Sequence, residues 1–236
     1  MKRQTIIGLA VSLIILITAL NPESPITRAQ NGCNGPHCVY FPNIVYSQAL
    51  EVYADITCYR QSPYVIVGDV LNVTNNTVYN AKLSAKLHDQ NGHLYGTYSD
   101  TTALVATFAG KTNPFSIYTD VGFECNDNIG EFDVSVDSWS MFNPVEYRPV
   151  TILSIVLTGS GWQTEISGEI RNDQVETLSN IKILIQPGSN SLYQFADVDK
   201  TSLAPGEITA YSSSIYHPWE PPLTYAEVQG QGKIIP

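Results

Sequence analysis

Basic residues are scarce in this sequence: 12 Lys and Arg stand against 22 Asp and Glu in 236 residues, a formal net charge of −10. A surface of that sign repels phosphate backbones and gives no polybasic attraction to anionic lipid, which argues against nucleic-acid binding and electrostatic membrane contact. Charge of either sign is thin at 14% of residues, low for a cytosolic enzyme. Helix formers are not organised into long amphipathic runs. There is no H-E-x-x-H, no G-x-S-x-G and no Walker-type loop. Gly159-Ser160-Gly161 comes nearest to a nucleophile loop, but it lacks the spacing of an elbow and reads as a strand connection. His37, His88, His93 and His217 enter no ordered Ser-His-acid set. The chain reads as non-catalytic, with no cofactor.

What is abundant points to sheet. Fourteen Tyr suit half-buried strand positions, while 14 Pro and 16 Gly suit frequent turns. A hydrophobic fraction of 43% suffices for packed cores, and the length accommodates two small domains.

Lys2-Arg3 followed by the uncharged stretch Ile6 to Leu20 has the form of an export signal, too short for a spanning helix of ~20 residues. Thr27-Arg28-Ala29 offers small residues for cleavage after Ala29, so residues 1–29 are expected to be removed, with an uncleaved N-terminal anchor as the alternative. Losing Lys2, Arg3, Arg28 and Glu23 would leave 9 basic and 21 acidic residues, a net of −12.

All four cysteines, Cys33, Cys38, Cys58 and Cys125, follow the signal, and an even number in an exported chain reads as disulfides. Three pairings are open. The preferred one joins Cys33 to Cys38 across a tight turn and Cys58 to Cys125 across the first repeat. A metal site of His37 with the cysteines is the weaker alternative, lacking a second CxxC-type pair.

The chain repeats itself at an offset of one hundred. Tyr64-Val-Ile-Val-Gly-Asp-Val-Leu-Asn72 sits over Thr164-Glu-Ile-Ser-Gly-Glu-Ile-Arg-Asn172, and six of twenty positions from 64 to 83 are identical: Ile66, Gly68, Asn72, Thr77, Asn80 and Lys82. Average composition would give about one or two. In the second copy Ile166, Gly168, Ile170 and Asn172 alternate with Glu165, Ser167, Glu169 and Arg171, a strand with one buried and one wet face. Glycine inside a strand marks a close approach or a bend, and Asn at its end caps the following turn. Ala81, Leu83, Ala85 and Leu87 alternate in the next strand, which turns at Asp89-Gln-Asn-Gly92. Gly110 with Phe115 corresponds to Gly206 with Tyr211, four residues being deleted from the second copy. Final strands are expected over Phe132–Trp139 and Tyr225–Gly230. Short strands with turns every eight to twelve residues make sandwiches. The expected organisation is an extension over 30–45, a β-sandwich over 46–140, a linker over 141–149 in which Phe142 and Tyr147 could pack between the sandwiches, and a second β-sandwich over 150–236.

Gly68-Asp-Val-Leu-Asn72, Leu87-His88-Asp89 before Gly92, and Gly110 with Phe115 resemble the bacterial FxLYD domain, a small extracytoplasmic β-sandwich. That family carries a Gly-x-Val-x-Asn strand, a Leu-Tyr-Asp hairpin and a Pro-Gly-x-x-x-x-Phe strand. Here His88 replaces the Tyr and Ala85 the Phe. The second repeat lacks the Leu-Tyr-Asp element and keeps Pro205-Gly206 with Tyr211. The similarity covers about 50 residues of each repeat. It implies two tandem Ig-like sandwiches in an exported accessory or interaction module, without shared catalytic residues.

Remaining clusters are weighed on spacing. Glu124, Asp127, Glu131 and Asp133 carry oxygen ligands at loop spacing that suit Ca²⁺, against the plainer reading of solvated acids; the spacing is not that of an EF-hand. His88 and His93 flank a hairpin turn and read as surface residues. The leading expectation is a module binding a protein or envelope component through sandwich edges or loops, with Tyr95, Tyr98 and Tyr118 forming an exposed patch. The alternative is carbohydrate binding, with Ca²⁺ as a candidate stabiliser, through Trp139, Trp162 or Trp219, each of which is more simply a packing residue.

Overall fold

The computed structural model describes residues 43–46, 49–58, 63–121, 129–160, 162–187, 192–216 and 223–235, and every regular element among them is a strand. The first unit holds β1 (Asn43–Tyr46), β2 (Leu50–Cys58), β3 (Tyr64–Asn72), β4 (Val78–Asp89), β5 (Leu94–Thr101), β6 (Ala106–Thr107), β7 (Thr112–Tyr118) and β8 (Ile129–Ser140). The second holds β9 (Tyr147–Pro149), β10 (Thr151–Ile152), β11 (Val156–Ser160), β12 (Gln163–Arg171), β13 (Leu178–Gln186), β14 (Gln194–Val198), β15 (Ser202–Leu203), β16 (Ile208–Tyr216) and β17 (Glu227–Ile234).

Period-two alternation decides which face each strand buries. In β4, Ala81, Leu83, Ala85 and Leu87 are buried while Lys82 and Lys86 are exposed. A layer in the order β1-β2-β3-β7 therefore packs on one where β4 pairs with β5, β6 and β8. Leu50, Ile66, Leu83, Phe115 and Phe132 lie in the core between them. A second cluster, with Ile166, Ile170, Leu178, Ile183 and Tyr211, fills the second unit. There the strands run β10-β12-β16-β14-β13-β17-β9. β14 joins the two layers, pairing with β13 through Gln194–Ala196 and with β16 through Asp197 and Val198. β9 and β10 leave the same stretch of chain on opposite layers, pairing with β17 and β12.

The copies agree in backbone detail. Asn80 and Asn180 are the described non-glycine residues with positive φ, 53° and 48°. Each sits where the pairing shifts register, between Tyr79 and Lys82 and between Ser179 and Lys182. Asn tolerates that left-handed turn better than most side chains, which explains why it stands at both bulges.

One face departs from alternation. Val65 and Val67 point away from the first core yet are fully buried, and so is Leu184, which alternates with the core residues Ile183 and Ile185. The second sandwich covers them. Gln186 Nε2 donates to Asp69 Oδ2 at 3.3 Å, Gln229 Nε2 to Thr112 Oγ1 at 3.3 Å, and the Ala106 amide to Gln231 Oε1 at 3.1 Å. The outer face of β3 and β7 thus lies against that of β13 and β17. The equivalent positions in the other copy are Glu165, which is exposed, and Ser167 and Ser84, which are half-buried.

The structure changes two expectations. Tyr147–Pro149, expected within the linker, pairs with β17 as a strand of the second sheet. Phe142 does not pack between the sandwiches and is largely exposed, because that seam is filled by sheet faces. The last strands run as Ile129–Ser140 and Glu227–Ile234, the first longer at both ends than expected and the second shifted toward the C-terminus.

Asp69 brings a carboxylate into the seam. Its Oδ1 is buried without a hydrogen-bond partner, and burial holds the acid above the ordinary carboxylate range; the Gln186 amide opposes this and Glu227 adds to it. A carboxyl raised in the folded state favours folding in its protonated form, so the stability it carries is present at low pH and lost as pH rises through the raised value. Asp69→Asn should therefore be more resistant to urea than the parent at neutral pH, the two midpoints converging as pH falls below the carboxylate range. A constant difference at all pH values would contradict this.

Candidate functional site

The residues singled out by the repeat build the sandwiches. Asn72 and Asn172 are both fully buried. Asn72 Nδ2 donates to the carbonyls of Asn76 and Thr107 while its Oδ1 accepts the Thr74 amide, at 2.7, 2.8 and 2.9 Å. Asn172 repeats this with Glu176, Leu203 and Gln174, at 2.8, 2.9 and 2.9 Å. Gly110 and Gly206, with φ of 67° and 75°, donate their amides to the carbonyls of Asn72 and Asn172. Gly68 pairs with Phe115 and Gly168 with Tyr211. A Cβ at Gly68 would lie 2.0 Å from the Tyr53 carbonyl oxygen, and one at Gly168 2.1 Å from that of Ser154. The Tyr211 hydroxyl donates to that Ser154 oxygen at 2.9 Å. Asp89 closes its hairpin by accepting the amides of Asn91 and His93, each at 2.8 Å. Each of these side chains is spent on structure.

Other candidates disperse. Tyr95 and Tyr118 are exposed, whereas Tyr98 packs against the first core and donates to Asp120. Burial and that carboxylate push its phenol up to about 12. The three tyrosines do not form one exposed patch. His88 is half-buried rather than a surface residue, its Nδ1 enclosed without a hydrogen-bond partner. His93 Nδ1 lies 3.1 Å from Asp89 Oδ2. Glu131 and Asp133 stand on β8 opposite His88 and Lys86, and among the described residues no three His, Cys, Asp or Glu side chains converge. Trp139 packs against the first core. The backbone of Cys58 ends β2; its side chain, Cys33, Cys38, Cys125, Glu124, Asp127 and Trp219 lie outside the described residues.

The seam between the sandwiches opens into a cleft of about 250 Å³ flanked by Leu104, Phe108, Lys111, Ile152 and Glu227. That is below the roughly 300 Å³ at which small-molecule sites begin.

A sheet edge is the stronger candidate. In the first sandwich the outer edge of β2 is covered by β1, pairing Asn43 with Ala54 through Tyr46 with Glu51. In the second, the corresponding edge is β10 and β11, and among the described residues no strand lies outside it. From Val150 to Thr164 the chain carries no charged residue, although edges are usually protected by charge. Leu153, Ile155 and Val156 are 38%, 40% and 51% exposed, and Trp162, at the turn into β12, is 64% exposed. An irregular stretch at 153–155 blunts the edge locally, shifting the register between Ile152–Ile170 and Val156–Ser167. Sequence reasoning named Trp162 but missed the edge. The signal was the missing charge between Arg148 and Glu165.

No family model matches the chain, and no curated protein does. Among solved structures, the N-terminal CBM22-1-CBM22-2 tandem domain of Xyn10C from Paenibacillus barcinonensis is similar at 12% identity, over 83% of this chain and 91% of that one, with a TM-score of 0.20. At that degree of superposition the fold rests on the strand pairings described above.

Two outcomes check this division between structural and open positions. Asn172→Ala leaves buried main-chain groups unpaired and should cost about 2–3 kcal/mol in urea unfolding. Ile155→Lys, on the exposed edge, should change the stability of the dilute monomer by less than about 0.5 kcal/mol. An equal loss in both variants would refute the assignment.

Proposed function

We propose that this chain is an exported, non-catalytic binding module that captures a protein or envelope component through the open β10–β11 edge of its second sandwich. The carrying observation is the contrast between two equivalent edges of one chain. One bears Glu51 and is covered by β1 from Glu51 to Ala54; the other bears Leu153, Ile155 and Val156 and has no strand outside it among the described residues. A strand edge offers main-chain donors and acceptors for affinity and alternate side chains for specificity. Export is supported by Lys2-Arg3 and the apolar stretch to Leu20, and an extracytoplasmic accessory role by the resemblance to the FxLYD domain.

A second reading has its own observation. Trp162, Tyr216 and Tyr225 are all more than half exposed, and aromatic faces stack on sugars. A glycan array comparing the parent with Trp162→Ala distinguishes it, since a sugar site loses its signal with the indole.

A photo-crosslinking residue placed at Ile155 in cells should give a discrete adduct on the cell exterior, while the same residue at Lys86, on the exposed face of β4, should give none. Equal labelling at both positions, or none at either, defeats the proposal.

A further inference from the structure

We infer that the occupant of this edge is a second copy of the chain: β11 pairs antiparallel with β11 of its partner about a two-fold axis at Thr158. The inference rests on reading the edge as the docking site and names what docks there.

Charge selects this edge for self-pairing. Every copy is acidic, so a strand that bears acids and meets itself sets like charges opposite one another. β8 carries Glu131, Asp133 and Asp137, and β5 carries Asp100, whereas β11 carries none. The nearest acid is Glu165, beside Thr158 on β12. In the dimer the two Glu165 positions stand three strand spacings apart, about 14 Å, beyond the ~10 Å screening length at 0.1 M salt.

The side-chain sequence is self-complementary in that register. Leu157 falls opposite Gly159 of the other copy, which leaves room for it, and Val156 falls opposite position 160. Within one copy Ile155 precedes β11 and Trp162 stands at the turn beyond its far end, so the length of β11 separates them. Antiparallel pairing exchanges the ends, so the turn carrying Trp162 arrives beside the 153–155 segment of the other chain. The exposed indole and the exposed Leu153 and Ile155 then cover each other, at both ends of the pairing at once. A two-fold arrangement is also the commonest closed symmetry of soluble oligomers, and it uses up the open edge in both copies.

The test is light scattering of the full secreted chain over a concentration series. The parent should pass from monomer to dimer as concentration rises. Thr158→Lys and Thr158→Glu each put like charges at the axis and should weaken dimerisation by at least roughly tenfold. An equimolar mixture of the two should recover a 1:1 dimer, which a misfolded variant would not do. A parent that stays monomeric at every concentration, a Thr158→Lys variant that dimerises like the parent, or a mixture of folded variants that stays monomeric would each overturn the inference. A monomeric parent that still gives an Ile155 adduct with another envelope component overturns self-pairing and leaves the docking reading standing; failure of both measurements removes both.

Discussion

Both sandwiches depend on one buried asparagine. A strand that ends inside a sandwich leaves main-chain groups facing the core, and those groups must be paired. Asn72 and Asn172 do this with a side chain that is donor and acceptor at once, reaching two carbonyls and one amide in each copy. Aspartate has no N–H to give, and glutamine is longer by one methylene. The neighbouring Gly110 and Gly206 bring the next strand back onto the asparagine carbonyl, so the turn before β7 and the turn before β16 are fixed from the same point. With those turns set, Phe115 and Tyr211 arrive across from Gly68 and Gly168, where no side chain occupies the space they need.

Once the shared frame is fixed, differences between the copies become readable. Where the first copy has Val65 and Val67 and the second has Glu165 and Ser167, one face is buried against a neighbour and the other meets water. Leu184 against Ser84 makes the same distinction for the other layer. The contact is heterologous, joining different faces of the two copies, and such contacts propagate unless the outermost face refuses the next unit. The polar outer face of β12, with Glu165 exposed where Val65 is buried, offers no matching apolar surface for such a contact.

Much of this was legible in the sequence. The offset of one hundred, the alternation around Ile166 and the Asn91-Gly92 turn are patterns within the chain itself, and such patterns survive in a single sequence. The seam was present as well, since the unbroken run Val65-Ile66-Val67 has the signature of a strand buried on both faces. It was not readable alone, because a short apolar run does not say what covers it. Tyr147–Pro149 was harder still: its pairing with β17 is a contact across some eighty residues, and Pro144 beside it spoke for a linker. The open edge escaped for a related reason. Exposure of Leu153 and Ile155 depends on there being no strand beside them among the described residues, and a sequence carries no mark for such a neighbour.

Edge chemistry in the two copies runs against the usual pattern. Protection is ordinarily placed where the backbone is open, yet here Glu51 stands on the stretch of β2 that β1 covers, and the edge with no described strand outside it has no charge from Val150 to Thr164. An edge under no functional demand gains solubility from a single lysine at almost no cost in folding, so its neutral composition is not forced by the sandwich. Beyond Ile152, which flanks the seam cleft, it is not forced by the seam either, since Leu184, Gln186 and Gln229 of the other layer make that contact. What the neutral edge does permit is close approach by another extended chain, in a protein whose surface otherwise repels acidic neighbours. Burial of one sheet face against the first sandwich and openness of the other layer's edge are then complementary uses of a duplicated unit: one copy supplies the platform, the other the free strand.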